Sequence, residues 1–257
     1  MQIQDKTVVV TGGASGLGQA TSRYFAERGA RVVIFDLNEE SGTAMQAELG
    51  PERCLFVAVD VTSEESVRAA VEAAVETFGS VHVCINCAGI PMPCKVLDKE
   101  GNPVPLSKFQ TVVNVNLIGL FNVMSQCAAV MARNEPENGE ERGVVVNISS
   151  GAAYEGQIGQ CAYSASKAGV VGLNFPAARE LGAYGVRVNS IAPGLFHTPM
   201  VDSLGKKIVE SLVAQVEAPR RMGDMREFAH CCAFIVENAY LNGETVRLDA
   251  CTRLRAR

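Results

Sequence analysis

The sequence predicts an α/β fold, a single domain with a doubly wound parallel sheet of about seven strands and helices on both faces. Three observations predict it. Short β-branched runs alternate with longer helical stretches along the whole chain of 257 residues. The short runs are apolar almost throughout, as in strands covered on both faces. The intervening helices, at about ten residues or more, are long enough to cross over between parallel strands.

The elements follow in order. "KTVVVTG" is the first strand, and "GLGQATSRYFAERGA" the helix after it, ending at Gly29. "RVVIFD", "CLFVAVDV" and "VHVCIN" are strands two to four, separated by the helices of "NEESGTAMQAELG" and "SEESVRAAVEAAVETFG". The Ser63–Ser66 region opens the latter with a capping sequence rich in glutamate. The rhythm then breaks at the proline-rich "PMPCKVLDKEGNPVPLSKF", a loop or small excursion. A long helix follows from about Leu106 to Met131, then the polar connection "NEPENGEERG" and the fifth strand "VVVNISS". The next helix holds "YSASK" and runs to about Gly182. "VRVNSIAPG" is the sixth strand, the 195–217 segment an amphipathic lid, "GDMREFAHCCAFIVE" the last helix and "GETVRLDA" the last strand. Residues 1–257 form one domain, with no linker and no repeat beyond the βα alternation.

Composition narrows the partners. At 47 % hydrophobic the chain can bury one substantial core. A net charge of −5 gives no basic stripe for a nucleic acid. No unbroken apolar run has membrane-spanning length, and "MQIQDKTVVVTGG" enters a strand at once, leaving no room for a leader. The nine cysteines are scattered, several inside apolar runs, which indicates buried thiols in a reducing compartment, and hence a cytoplasmic location. Cys84 and Cys87 have C-x-x-C spacing but no second pair, so structural thiols are favoured over redox or metal use. His82, His197 and His230 share no ligand spacing, and no metal is expected.

"TGGASGLG" sits between a strand and a helix. Gly12, Gly16 and Gly18, with Ser15 and Leu17 between them, allow a sharp turn that aims backbone N–H groups and a helix N-terminus at a pyrophosphate. With further βα units behind it, this is a Rossmann nucleotide site. Asp36 ends the second strand, about 20 residues on, where a carboxylate accepts from the adenosine ribose and repels a 2′-phosphate. No basic residue adjoins it, so the cofactor is expected to be NAD, not NADP. Asp60, followed by Val61, could reach the adenine edge or cap the next helix. In "NCAG", Asn86 could pin neighbouring backbone, while Ala88 and Gly89 leave space against the cofactor.

Ligands of such a sheet lie beyond the C-terminal strand ends. Ser149 and Ser150 end strand five, and Tyr163 and Lys167 share one helix face at i,i+4. Asn116, inside the long helix, can reach the same crevice or serve as a structural hydrogen-bonding group. Carbonyl reduction by hydride needs a proton donor, and alcohol oxidation a proton acceptor. An unperturbed tyrosine titrates near pH ~10. A neighbouring ammonium and the positive nicotinamide favour the phenolate, which gives Lys167 its role, while Ser150 can orient the substrate oxygen.

"TGGASGLG", "NCAG", Asn116, Ser150 and "YSASK" together resemble the short-chain dehydrogenase/reductase family over the whole chain. The resemblance implies Tyr163 as general acid/base, Lys167 on the nicotinamide ribose, Ser150 orienting substrate and Asn116 holding a relay water. It places Pro193 and Gly194 beside the nicotinamide and Thr198 on its carboxamide. Two departures are Cys87, where a second asparagine is usual, and Ala250–Cys251, where a Gly pair is commoner. "INCAGI", "NEPENGEERGVVVNISS", "EGQIGQCAYSASKAG" and "IAPGLFHTPM" are further similar to the short-chain (type 2) 3-hydroxyacyl-CoA dehydrogenases. That group implies an NAD-dependent homotetramer interconverting (S)-3-hydroxyacyl-CoA and 3-ketoacyl-CoA. A hydroxysteroid or other secondary-alcohol dehydrogenase is the alternative. A 3-ketoacyl reductase using NADPH fits Asp36 poorly, and a catalytically silent nucleotide-binding protein would not need the Ser–Tyr–Lys set.

The substrate wall is expected after Gly194, from Leu195, Phe196, Met200, Leu204, Ile208 and Leu212, which could cover an acyl chain or pack a lid. Lys95, Lys99, Lys206 and Lys207 could meet CoA phosphates. The long helices around 106–131 and 162–181 could pair across a two-fold axis or be used against the sheet. Cys161 is read as a small packing residue.

Overall fold

A computed structural model describes residues 1–137, 139–198, 201 and 205–256; the side chains of 206–208 lie outside the description. The helices are α1 (Gly16–Glu27), α2 (Glu39–Leu49), α3 (Glu64–Phe78), α4 (Leu106–Met131), α5 (Cys161–Gly182), α6 (Lys206–Val213) and α7 (Met225–Glu237). The strands are β1 (Thr7–Thr11), β2 (Arg31–Asp36), β3 (Cys54–Ala58), β4 (Val83–Asn86), β5 (Gly143–Ile148), β6 (Val186–Pro193) and β7 (Thr245–Leu248).

All seven strands are parallel, in the order β3-β2-β1-β4-β5-β6-β7. The order reverses between β1 and β4, and a crevice opens there beyond the strand ends. The pleat divides the core in two. Val8, Val10 and Ile34 face one side with Phe25 of α1 and Phe228 of α7. Val9, Val33 and Phe35 face the other with Val71 of α3 and Met124 of α4. Both faces are buried, which explains the unbroken apolar runs.

Local chemistry fixes the helix ends. The Ser63 side chain accepts from Ser66 N–H and caps α3, which stops at Gly79 in the left-handed region (φ 84°). Asp224 and Glu227 form a complete capping box on α7.

The long helix differs from the expected regular one. Residues Asn114–Gly119 wind as a π-helix inside α4. The extra residue in that turn sets Asn116 inward, where it is fully buried. Contrary to the expectation of no such run, α4 is long and apolar enough to cross a membrane. Its Val112, Val123, Cys127 and Met131 are instead buried in the protein core.

Candidate active site

The chemistry-bearing elements meet in one cavity of about 590 Å³. One end is the glycine turn. Gly12 (φ 62°) and Gly16 (φ 51°) both use the left-handed backbone region. A Cβ on Gly18 would lie 2.2 Å from the Gly12 carbonyl oxygen, so only glycine permits that approach. Among the described residues Ser15 makes no side-chain cap on α1, which leaves the first-turn N–H groups open to an anion. Gly12, Ser15, Gly16, Leu17 and Gly18 line the cavity, with Ala88 and Gly89 beside them. A dinucleotide fits this cradle of small residues and backbone donors.

The other end holds the reactive groups. Ser150, Tyr163 and Lys167 line the cavity with Pro193, Gly194, Leu195, Phe196 and Thr198. Ser150 accepts from Ala152 N–H at 3.1 Å, which fixes its hydroxyl at the end of β5. Thr198 stands opposite the glycine turn, 3.9 Å from where a Gly16 Cβ would be. Phe196 both lines the cavity and packs edge-on against Phe228, with ring centroids 6.0 Å apart. Leu204 and Met200 lie outside the described residues, as do the side chains of Ile208, Lys206 and Lys207. Lys95 and Lys99 are exposed on the loop before α4 and are absent from the cavity lining.

The electrostatics correct one expectation. Lys167 is 3 % exposed, and burial lowers its pKa to about 8. Its Nζ donates to the Ile148 carbonyl at 2.7 Å and lies 5.9 Å from the Tyr163 ring centroid. The sequence expectation has the ammonium and the positive nicotinamide both favouring the phenolate. In the protein alone, burial dominates and raises the Tyr163 pKa, while a hydrogen bond with Ser150 lowers it. Cys87, also on the cavity wall, is a neutral thiol, pushed up to about 12 by burial.

Five of the residues expected to be catalytic or cofactor-binding are not in the described cavity lining. Asn116 stands behind the wall at Gly89, its Oδ1 3.2 Å from where a Gly89 Cβ would be. Its Oδ1 accepts from Ile90 N–H at 2.8 Å, and its Nδ2 donates to the Ile90 carbonyl at 3.0 Å and to Ser166 Oγ at 3.2 Å. The π-turn thus aims it at the cavity's wall, whose Ile90 it fixes. Asn86 does not pin backbone: its Nδ2 donates to the Asn147 side chain at 2.9 Å, and its buried Oδ1 has no partner among the described residues. Val61 packs under α4, its carbonyl accepting from Asn122. Asp60 is exposed and bonded to Thr62, while Ser63 caps α3, so the capping alternative for Asp60 falls. Asp36 is half-buried beside the glycine turn. Its Oδ2 accepts from Ala14 N–H at 3.1 Å and its Oδ1 from Asn38 N–H at 3.0 Å. Each oxygen keeps a lone pair for a ribose hydroxyl.

Cys161, expected to pack, is exposed at the start of α5. All nine cysteines are free thiols, and among the described residues no His/Cys/Asp/Glu group could hold a metal. Sequence reasoning missed the C-terminal contribution to the wall, from Asp249, Thr252 and Leu254, and that of Gln157 and Gln160 before α5.

Comparison with known proteins agrees with this geometry. The model of the family described as short chain dehydrogenase matches residues 6–208. The chain is 47 % identical over 254 residues to 3-hydroxyacyl-CoA dehydrogenase type-2 of Homo sapiens, covering 98 % of this chain and 97 % of that protein. It is 33 % identical to ipsdienol dehydrogenase of Ips pini, over 98 % of this chain and 99 % of that one. The crystal structure of 3-hydroxyacyl-CoA dehydrogenase type-2 from Mycobacterium avium superposes with a TM-score of 0.92 at 41 % identity, over 98 % and 97 % of the two chains.

Proposed function

The chain belongs to the short-chain dehydrogenase family, and from that premise we propose that it is an NAD-dependent dehydrogenase interconverting (S)-3-hydroxyacyl-CoA and 3-ketoacyl-CoA. The single observation that carries the reading is the meeting of Ser150, Tyr163 and Lys167 with the glycine turn in one cavity, in a chain so similar to type-2 3-hydroxyacyl-CoA dehydrogenases. The (S) preference comes with that similarity.

NAD⁺, when bound, supplies the hydride acceptor. Tyr163 removes the hydroxyl proton during oxidation and returns it during reduction. Burial keeps its phenol protonated near neutrality, which suits the reductive direction directly. Ser150 directs the substrate oxygen at the phenol. Lys167, fixed by the Ile148 carbonyl, supplies local positive charge and a donor for the nicotinamide ribose. Asn116 acts by holding Ile90 in place. The Asp36 carboxylate favours the free ribose of NAD over the phosphate of NADP.

A homotetramer fits the exposed apolar side chains of Leu106, Ile118 and Phe121 on α4 and Phe175 on α5. Light scattering tests it, and a monomer at assay concentration would refute it. The free thiols fit a cytoplasmic location. The function is tested by comparing kcat/KM for acetoacetyl-CoA, 2-methyl-branched 3-ketoacyl-CoA and hydroxysteroids with their matching nicotinamide forms. A higher value for hydroxysteroids would replace the acyl-CoA reading with the secondary-alcohol alternative.

A further inference from the structure

Beyond β7 the chain turns back over the substrate end of the cavity. Its side chains alternate: Thr252 is buried and Leu254 half-buried, while Arg253 and Arg255 are exposed. Thr252 and Leu254 line the same cavity as Ser150 and Tyr163.

This strap is fixed on two sides. Ile158 N–H donates to the Ala256 carbonyl at 3.1 Å, and Gln157 Nε2 donates to the Arg255 carbonyl at 3.1 Å. Across the cavity, Arg255 N–H donates to Gln215 Oε1 at 3.3 Å, on the segment after α6. The strap's root is tied as well. Arg247 bridges Glu155 at 2.8 Å and Asp249 at 2.7 Å, and Thr252 N–H donates to the Asp249 carbonyl at 2.8 Å. Residues 155–160 lead straight into α5 and Tyr163, so the strap is referenced to the reacting centre.

We propose that residues 252–256 set the acyl-chain selectivity of this site, with Leu254 as the wall that limits chain length. The inference rests on the acyl-CoA reading given above. Most of the bonds that hold the strap use backbone groups of residues 252–256, so replacing the Leu254 side chain leaves them in place. A change in side-chain volume therefore becomes a change in cavity volume. One methylene in an apolar pocket shifts discrimination about 10- to 200-fold.

The test is kcat/KM for acetoacetyl-CoA, 3-ketohexanoyl-CoA and 3-ketooctanoyl-CoA with NADH, taken as a ratio within each variant. Leu254→Ala is expected to raise the long-to-short ratio by about tenfold, and Leu254→Trp to lower it by a similar factor. Opposed shifts are not a result that general damage to the fold produces. Gln157→Ala, which cuts a tie and leaves Leu254 itself unchanged, is expected to flatten the chain-length preference. Ratios within twofold of wild type for all three variants would overturn the proposal. If the wild type reduces no 3-ketoacyl-CoA, the acyl-CoA reading fails by itself. The strap is then tested by the same ratios with butan-2-one and octan-2-one.

Discussion

The Lys167 ammonium donates to the Ile148 carbonyl at 2.7 Å inside a site where the lysine is 3 % exposed. Burial holds its pKa at about 8, below the ordinary 10.5. Between these values the unfolded chain binds more protons than the folded one, so this group makes stability rise with pH. The stabilisation is complete above pH 10.5 and is lost as pH falls through 8, a span worth roughly 3 kcal/mol. Lys167→Met removes that dependence. Urea unfolding from pH 7 to 10 is expected to show the wild type gaining on the variant as pH rises. A constant difference would sink the assignment. Activity at pH 7 should fall by about a hundredfold in the same variant, by loss of the fixed positive charge.

Tyr163 is the proton donor and acceptor, and Tyr163→Phe keeps the ring while removing the exchangeable proton. We expect kcat to drop by about 10²- to 10⁴-fold. NADH binding, followed by fluorescence, should remain within a few-fold of wild type. Unchanged turnover would remove the acid/base mechanism and favour a silent nucleotide-binding protein. Because burial raises the phenol pKa, the oxidative rate should go on climbing with pH well above neutrality, while the reductive rate holds level and falls only as the phenol ionises. Parallel pH profiles in the two directions would contradict that origin.

The strands were legible because burial on both faces writes an unbroken apolar run, and the glycine turn because each glycine answers a steric demand. Gly18 shows this plainly, with the Gly12 carbonyl where its side chain would be. Tyr163, Lys167 and Ser150 were legible from their spacing and strand-end position. What stayed hidden depends on long-range pairing. The π-turn at Asn114–Gly119 changes which way Asn116 points, and no residue type announces it. Asn86 and Asn147 find each other across 61 positions. The direction of the Tyr163 shift follows from packing depth, which spacing does not contain. The strap had a faint signal, the alternation of Thr252 and Leu254 with arginines, which reads as an extended segment with one covered face.

Asp36 is bound to the backbone of the glycine turn and of its own loop. Asp36→Ala removes both acceptors and the charge. The expected cost in stability is about 1–2 kcal/mol. Like-charge repulsion between a carboxylate and a phosphate amounts to several kcal/mol, so the ratio of kcat/KM for NAD over NADP should narrow by on the order of a hundredfold. Steady-state kinetics with both cofactors measures it. Equal efficiency with NADP in the wild type would refute the cofactor assignment.

Gly194 lies where β6 meets the end of β7, and an added Cβ would stand 2.7 Å from the Asp249 Cα. The nearest atom is backbone and the next, the Asp249 Cβ at 2.8 Å, is bonded directly to it, so neither can swing aside. Gly194→Ala should cost about 1–3 kcal/mol by overpacking and should also raise the KM for NADH, because Gly194 lines the cavity. Thermal unfolding and NADH titration read the two effects. A variant with wild-type stability would show that the two strand ends separate freely.

Two residues beyond β7, the chain adopts left-handed backbone angles at Ala250 (φ 47°) and Cys251 (φ 59°), a region that favours glycine. A side chain there costs about 1–2 kcal/mol relative to glycine. The turn persists because Cys251 N–H donates to Asp249 Oδ1 at 3.1 Å and Thr252 N–H to the Asp249 carbonyl at 2.8 Å. Glycine relieves the strain but gives the unfolded chain more freedom, offsetting about 0.4–1 kcal/mol of the gain. Ala250→Gly and Cys251→Gly are therefore each expected to stabilise by a few tenths to about 1 kcal/mol. Paired urea unfolding curves at constant m-value measure the difference. Destabilisation of both variants would mean that the turn relaxes out of the left-handed region in solution.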